Sequence, residues 1–183
     1  MAGCRPLSEQ EIYAVLAVMR RRRDRAMFVL GVRTGFRISE LLSLNVSDVY
    51  KSGRVLGRVK VFKRHIKDKK ESREIPLHSH AAEVLAEYMP TLETGTTVLF
   101  PSARGTRLTR FSAHKIFKDA FAAAGLKGNL ATHSMRKTFA KKVYDALGRD
   151  LVATRDALGH SHISTTVEYL APNKDMIDQA ILK

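Results

Sequence analysis

The sequence predicts an α+β fold, mostly helical, with a small antiparallel sheet and hairpin. Three observations carry that expectation. Apolar residues recur at helical spacing over most of the chain, and the runs are closed by glycines. Residues 54 to 77 instead interleave Val55, Val59 and Val61 with Arg and Lys, as short strands do. No repeat, low-complexity run or linker interrupts the 183 residues, so one domain spanning 1–183 is expected.

The elements follow in order. Ser8 and Glu11 form an S-x-x-E capping box, Leu7 and Ile12 are placed as a hydrophobic staple, and Ile12, Val15, Leu16 and Met19 make a helical stripe over residues 8 to 19. The basic run Arg20 to Arg23 ends that helix, as a phosphate contact or as a solvated helix end. Ala26 to Val32 is apolar enough for a buried helix, with Gly35 as a left-handed cap, and Ile38 to Leu42 is a short helix. Within 54 to 77, Lys67 to Ser72 is a polar, basic turn, and Arg73 to Leu77 is extended again. Helices are expected over Ala81 to Tyr88, after Thr109 up to Gly125, over His133 to Leu147, over Leu151 to Leu158, and over Thr165 to Leu170. Val98 to Phe100 is extended. Met176, Ile177, Ala180 and Ile181 give the tail, 173–183, a short helical stripe.

Charge narrows the class. The chain holds 32 Lys and Arg against 18 Asp and Glu, a net charge of +14. Such a surface attracts a polyanion, and nucleic acid is the usual one. A single cysteine, Cys4, excludes an internal disulfide and a cysteine-rich zinc site, and suits a reducing, cytoplasmic setting. The N-terminus has no apolar signal region and there is no run of apolar residues long enough to span a bilayer, so no membrane partner is expected.

Three segments concentrate chemistry. In Thr34-Gly35-Phe36-Arg37-Ile38-Ser39-Glu40, Arg37 and Glu40 are three apart and share a helical face. His133 and Arg136 share the start of a helix, where free N–H groups and the dipole favour a phosphate. Gly159 turns the chain sharply and presents His160, and Ser164-Thr165-Thr166 leads to Tyr169. Singly, these read as an ion pair, a capping histidine and a packing tyrosine.

In this order and spacing the segments resemble the tyrosine recombinase, or phage integrase, family over nearly the whole chain. That family carries an Arg in T-G-x-R-x-S-E, an H-x-L/M-R box, an L-G-H box, and a nucleophilic Tyr nine residues beyond the last His. The resemblance implies the family's catalytic-domain fold and puts the catalytic residues at Arg37, His133, Arg136, His160 and Tyr169, with Glu40 supporting Arg37 or His133. It also implies a general-acid Lys on the hairpin before Arg73-Glu74-Ile75-Pro76. The common spacing falls on Asp68, so Lys67 is preferred and Lys69 is the alternative. Lys137 stands where the family often has His.

The implied activity is a DNA strand transferase: metal-independent, ATP-independent cleavage and rejoining through a 3′-phosphotyrosyl link, with no cofactor. Type IB topoisomerase-like nicking and resealing, or a catalytically weak DNA-binding regulator of the same fold, are the alternatives. The implied partners are double-stranded DNA and further copies of the chain, a monomer in free solution assembling as a homo-oligomer (a tetramer) on paired sites. The family's N-terminal core-binding domain is expected to be absent, in a truncated or naturally short member from a prokaryotic cell, virus or mobile element.

Overall fold

The computed structural model describes residues 3–61, 73–170 and 181–182. Helix α1, Glu9–Val18, starts at the expected capping box: Ser8 accepts the Glu11 N–H, and Glu11 reaches back to the Ser8 N–H. Its last carbonyls would be orphaned. Arg25 donates to Leu16 O and Met19 O and satisfies two of them.

Helix α2, Arg22–Thr34, is buried at every position from Ala26 to Thr34. A helix closed on all sides is a core element, and this one packs on helices from both halves of the chain. Phe28 meets Phe117 and Phe121 at ring-centroid distances of 6.0 and 6.3 Å. Each such buried ring contributes roughly 1.5–3 kcal/mol. Gly31 leaves the close approach that Met135 fills, for a Cβ there would lie 2.9 Å from the Met135 sulfur.

Helix α3, Ile38–Ser43, leads to two short antiparallel pairs. Strands β1, Tyr50–Lys51, and β2, Arg54–Val55, pair through a turn with Ser52 and Gly53 both at positive φ. Strands β3, Arg58–Val61, and β4, Arg73–Pro76, pair with Val59 opposite Ile75 and Lys60 opposite Glu74. Val59 and Val61 point into the core while Arg58, Lys60 and Glu74 face solvent, where Arg58 pairs with Glu74. The hairpin turn, with Lys67, Asp68 and Lys69, lies outside the described residues.

Helix α4, Ser79–Tyr88, and helix α5, Arg110–Ala123, complete the packing around α2; α5 is capped by the Thr109 side chain. Burial pushes the Tyr88 phenol up to about 12, and its hydroxyl donates to Leu99 O at 2.8 Å. Helices α6, Thr132–Ala146, α7, Leu151–Leu158, and α8, Ile163–Leu170, form the last layer. No helix among the described residues is long and apolar enough to cross a membrane.

Four local expectations need correction. Helix α2 begins at Arg22, a turn before Ala26, because Arg23 binds Asp24 and Pro101 O and is thereby drawn into the fold. Part of the basic run is therefore structural. The strands form two pairs rather than one sheet, β1–β2 being too short to show in the pattern. Val98 makes an isolated bridge to Asn45, and the chain bends at Leu99 and Phe100 rather than staying extended to Phe100. Helix α8 begins at Ile163, not Thr165.

Candidate active site

The site is assembled where α2 and α7 end and α3 and α6 begin. Gly35 closes α2 at φ 62, a conformation that costs a residue with a Cβ. The chain turns into Arg37, which caps α3. Glu40, only 2% exposed, holds Arg37 twice: its Oε2 accepts the Arg37 backbone N–H at 2.7 Å, and its Oε1 accepts the guanidinium at 3.0 Å. Glu40 thus pairs with Arg37 rather than with His133, and it fixes both the turn and the side chain.

Helix α6 carries His133 and Arg136. Arg136 is 1% exposed, and a buried cation costs several kcal/mol unless it is hydrogen-bonded. Its guanidinium donates to Gly35 O and, at 2.8 Å, to Leu158 O, joining the exits of α2 and α7. Burial, and then the charge of Arg37, push it down to about 10, with Glu40 and Tyr169 acting the other way. It remains a cation at neutral pH. Its Nε–H is buried with no hydrogen-bond partner among the described residues.

Gly159, at φ 61, ends α7 and swings the chain so that His160 turns inward to 7% exposure. Its Nδ1 shares a hydrogen bond of 2.9 Å with Thr166 Oγ1, which fixes the ring. Tyr169 follows Thr166 by three residues on α8 and so lies on the same helical face. The His160 and Tyr169 ring centroids are 5.1 Å apart at 60°, and Arg136 Cζ is 5.8 Å from the Tyr169 centroid.

His133 sits near the N-terminus of α6, where the residue is largely exposed. Local desolvation, then the charges of Arg136, Arg37 and Lys137, lower it from the ordinary imidazole value, so it is neutral at pH 7 and free to take a proton. Sequence reasoning passed over Lys137 as a mere departure from the family pattern. Its Nζ stands 5.9 Å from the centre of the Tyr169 ring. The signal was its place beside Arg136 on a helix whose face was already assigned.

Five expected residues, Arg37, His133, Arg136, His160 and Tyr169, therefore converge around one cationic centre. A separate groove of about 530 Å³ is lined by Arg33, Ile75, Leu77, His78, Phe139 and Asp156 among others, and none of the five lines it.

Comparison with known proteins identifies the family and the fold. The model of the phage integrase family matches residues 5–176. Tyrosine recombinase XerD of Staphylococcus aureus is 35% identical over 161 residues, 85% of this chain and 52% of the relative, and XerD of Staphylococcus epidermidis matches to the same extent. The chain thus spans about half the length of these curated relatives. Among solved structures, XerA recombinase superposes with a TM-score of 0.79 at 26% identity, covering 98% of this chain and 63% of the other. XerH site-specific recombinase, bound to a palindromic difH substrate, shares the fold at a TM-score of 0.74 and 22% identity, covering 97% and 52%.

Proposed function

The chain belongs to the phage integrase family of tyrosine recombinases, and from that premise we propose that it is a site-specific DNA strand transferase with Tyr169 as nucleophile. The observation that carries this reading is the capture of Tyr169 between His160 and Arg136, while Arg136 is itself bonded to the turns that deliver Arg37 and His160.

The chemistry is a transesterification. The Tyr169 oxygen forms a bond to phosphorus and the bond from phosphorus to the 5′-oxygen breaks. A phenol ionises near pH 10 in water, so at neutral pH it needs a base, and neutral His133 takes the proton. Negative charge grows on the non-bridging oxygens. Arg37 and Arg136 meet it with preorganised cations, and His160 adds a donor. The leaving oxygen takes a proton from the hairpin, where Lys67 is assigned ahead of Lys69 on the family pattern alone. The 3′-phosphotyrosyl link conserves the energy of the phosphodiester, so resealing needs no nucleotide. No step requires a metal or cofactor.

The substrate is double-stranded DNA, and a net charge of +14 supports that assignment. Strand exchange is assigned to a tetramer on two sites, formed from monomers, with the 173–183 tail docking on the next protomer. Most of that tail lies outside the described residues. The exposed Ile163 and Val167, one turn apart on α8, and the exposed Ile181 support an apolar contact between copies. Deleting 173–183 is expected to leave single-site binding intact and to reduce assembly on paired sites in sedimentation.

The decisive experiment is capture of a covalent adduct in SDS from a randomised duplex pool. The unmodified chain should yield a phosphotyrosyl product. Tyr169→Phe should bind DNA equally and yield none; an adduct from that variant would place the nucleophile elsewhere.

A further inference from the structure

We propose that Lys137 is a positioning residue for the nucleophile, its ammonium lying over the Tyr169 ring to hold the phenol toward α6 and to stabilise the charge that spreads into the ring as the proton leaves. This rests on Tyr169 being the nucleophile. Two cations of α6 approach that ring, Arg136 at 5.8 Å and Lys137 at 5.9 Å. They do not have the same freedom. Arg136 is buried, bonded to Gly35 O and Leu158 O and also engaged with the Tyr169 hydroxyl, so its place is fixed by the turns it joins. Lys137 has no carboxylate partner among the described residues, whereas its neighbours on the helix do: Lys141 pairs with Asp145 and Lys142 with Glu9.

Its position is also confined. Lys137 is half-buried, and the N-terminal segment passes beside it, since a Cβ at Gly3 would lie 3.5 Å from Nζ. A cation over an aromatic face is attracted by the ring's negative quadrupole, and more strongly when the ring becomes anionic. The contact therefore favours the phenolate that forms over the phenol that starts. Among the described residues, the other charged and titratable groups facing this centre are Arg37 and Glu40 from α3, His133 and Arg136 from α6, and His160 after α7.

The test uses a duplex recovered from the randomised pool by adduct formation with the unmodified chain, at saturating concentration, in single-turnover cleavage. Lys137→Gln should slow cleavage roughly three- to thirty-fold, the span of a cation–ring contact, and Lys137→Arg should restore most of it. Ring-fluorinated tyrosine at position 169 ionises more readily than tyrosine. It should recover most of the loss in Lys137→Gln and change the unmodified chain little, a result that a packing role would not give. A Lys137→Gln enzyme that cleaves at the normal rate, or whose loss persists with the fluorinated ring, overturns the proposal and leaves Tyr169 as nucleophile. Failure of the unmodified chain to yield any adduct overturns the strand-transferase reading itself and Lys137's role with it.

Discussion

Two arginines face the same centre and are held by opposite means. Arg37 keeps a 36% exposed side chain and depends on one buried carboxylate, Glu40. Arg136 is sealed and depends on two backbone carbonyls. Glu40→Gln keeps an acceptor for the Arg37 backbone but removes the charge that aims the guanidinium. Cleavage should slow by about ten-fold, the scale of one hydrogen bond to a charged group, while DNA affinity in a filter-binding titration stays nearly unchanged. As the proposed base, His133 is expected to set the acid limb of the pH–rate profile. Because desolvation and three cations lower it, it resists protonation, and the rate should persist below about pH 6.5, the ordinary imidazole value. A limb at or above that value would remove His133 as the base.

The helix ends decide what the elements deliver, and they divide the features that the sequence made legible from those it hid. Gly35 and Gly159 were readable as left-handed caps because each follows an apolar run, and both adopt positive φ. The start of α2 was not readable, since Arg22 to Arg25 have no periodic apolar residue and join the helix through long-range bonds to Pro101 O and Leu16 O. The β1–β2 pair rests on two residues a side, below the length at which alternation shows. The gathering of the arginines, histidines and Tyr169 in one place was legible through motif spacing, whereas the choice between Lys67 and Lys69 was not, because loop length is not encoded periodically. Gly35 also faces a wall: a Cβ would lie 2.8 Å from Phe139 Cγ. Gly35→Ala should therefore lose at least about 1–2 kcal/mol for left-handed backbone, plus the collision, in urea denaturation. Phe139→Ala should relieve part of that loss non-additively.

Over the whole molecule, ion pairs pin the N-terminal segment to the catalytic core. Glu9 binds buried Arg33 at 3.0 Å through both oxygens, while Glu11 binds Arg5 within the segment and Arg5 in turn donates to Lys127 O. The hydrogen bonds from Arg33 and Arg5 hold both carboxyls below the usual range. Their folded values are depressed, so their contribution is present above the unfolded value and is lost as pH falls through the folded one. Thermal midpoints should drop on acidification below about pH 4.5, the ordinary glutamate range, and Glu9→Gln should flatten that drop. The molecule-wide excess of positive charge predicts DNA affinity that falls linearly in log–log against salt, by about 0.9 per phosphate neutralised. A flat salt response would deny a phosphate-tracking surface. Finally, Arg136 binds the turns that bring three separate motifs together, and this has an evolutionary consequence. A descendant released from the proposed strand cleavage could lose Tyr169 with little injury to its core, whereas losing Arg37 would strand the buried Glu40 carboxylate. It could not drop Arg136 without freeing two buried carbonyls. Retired copies should keep Arg136 long after their chemistry is gone, so its presence attests to ancestry and that of Tyr169 to present trade.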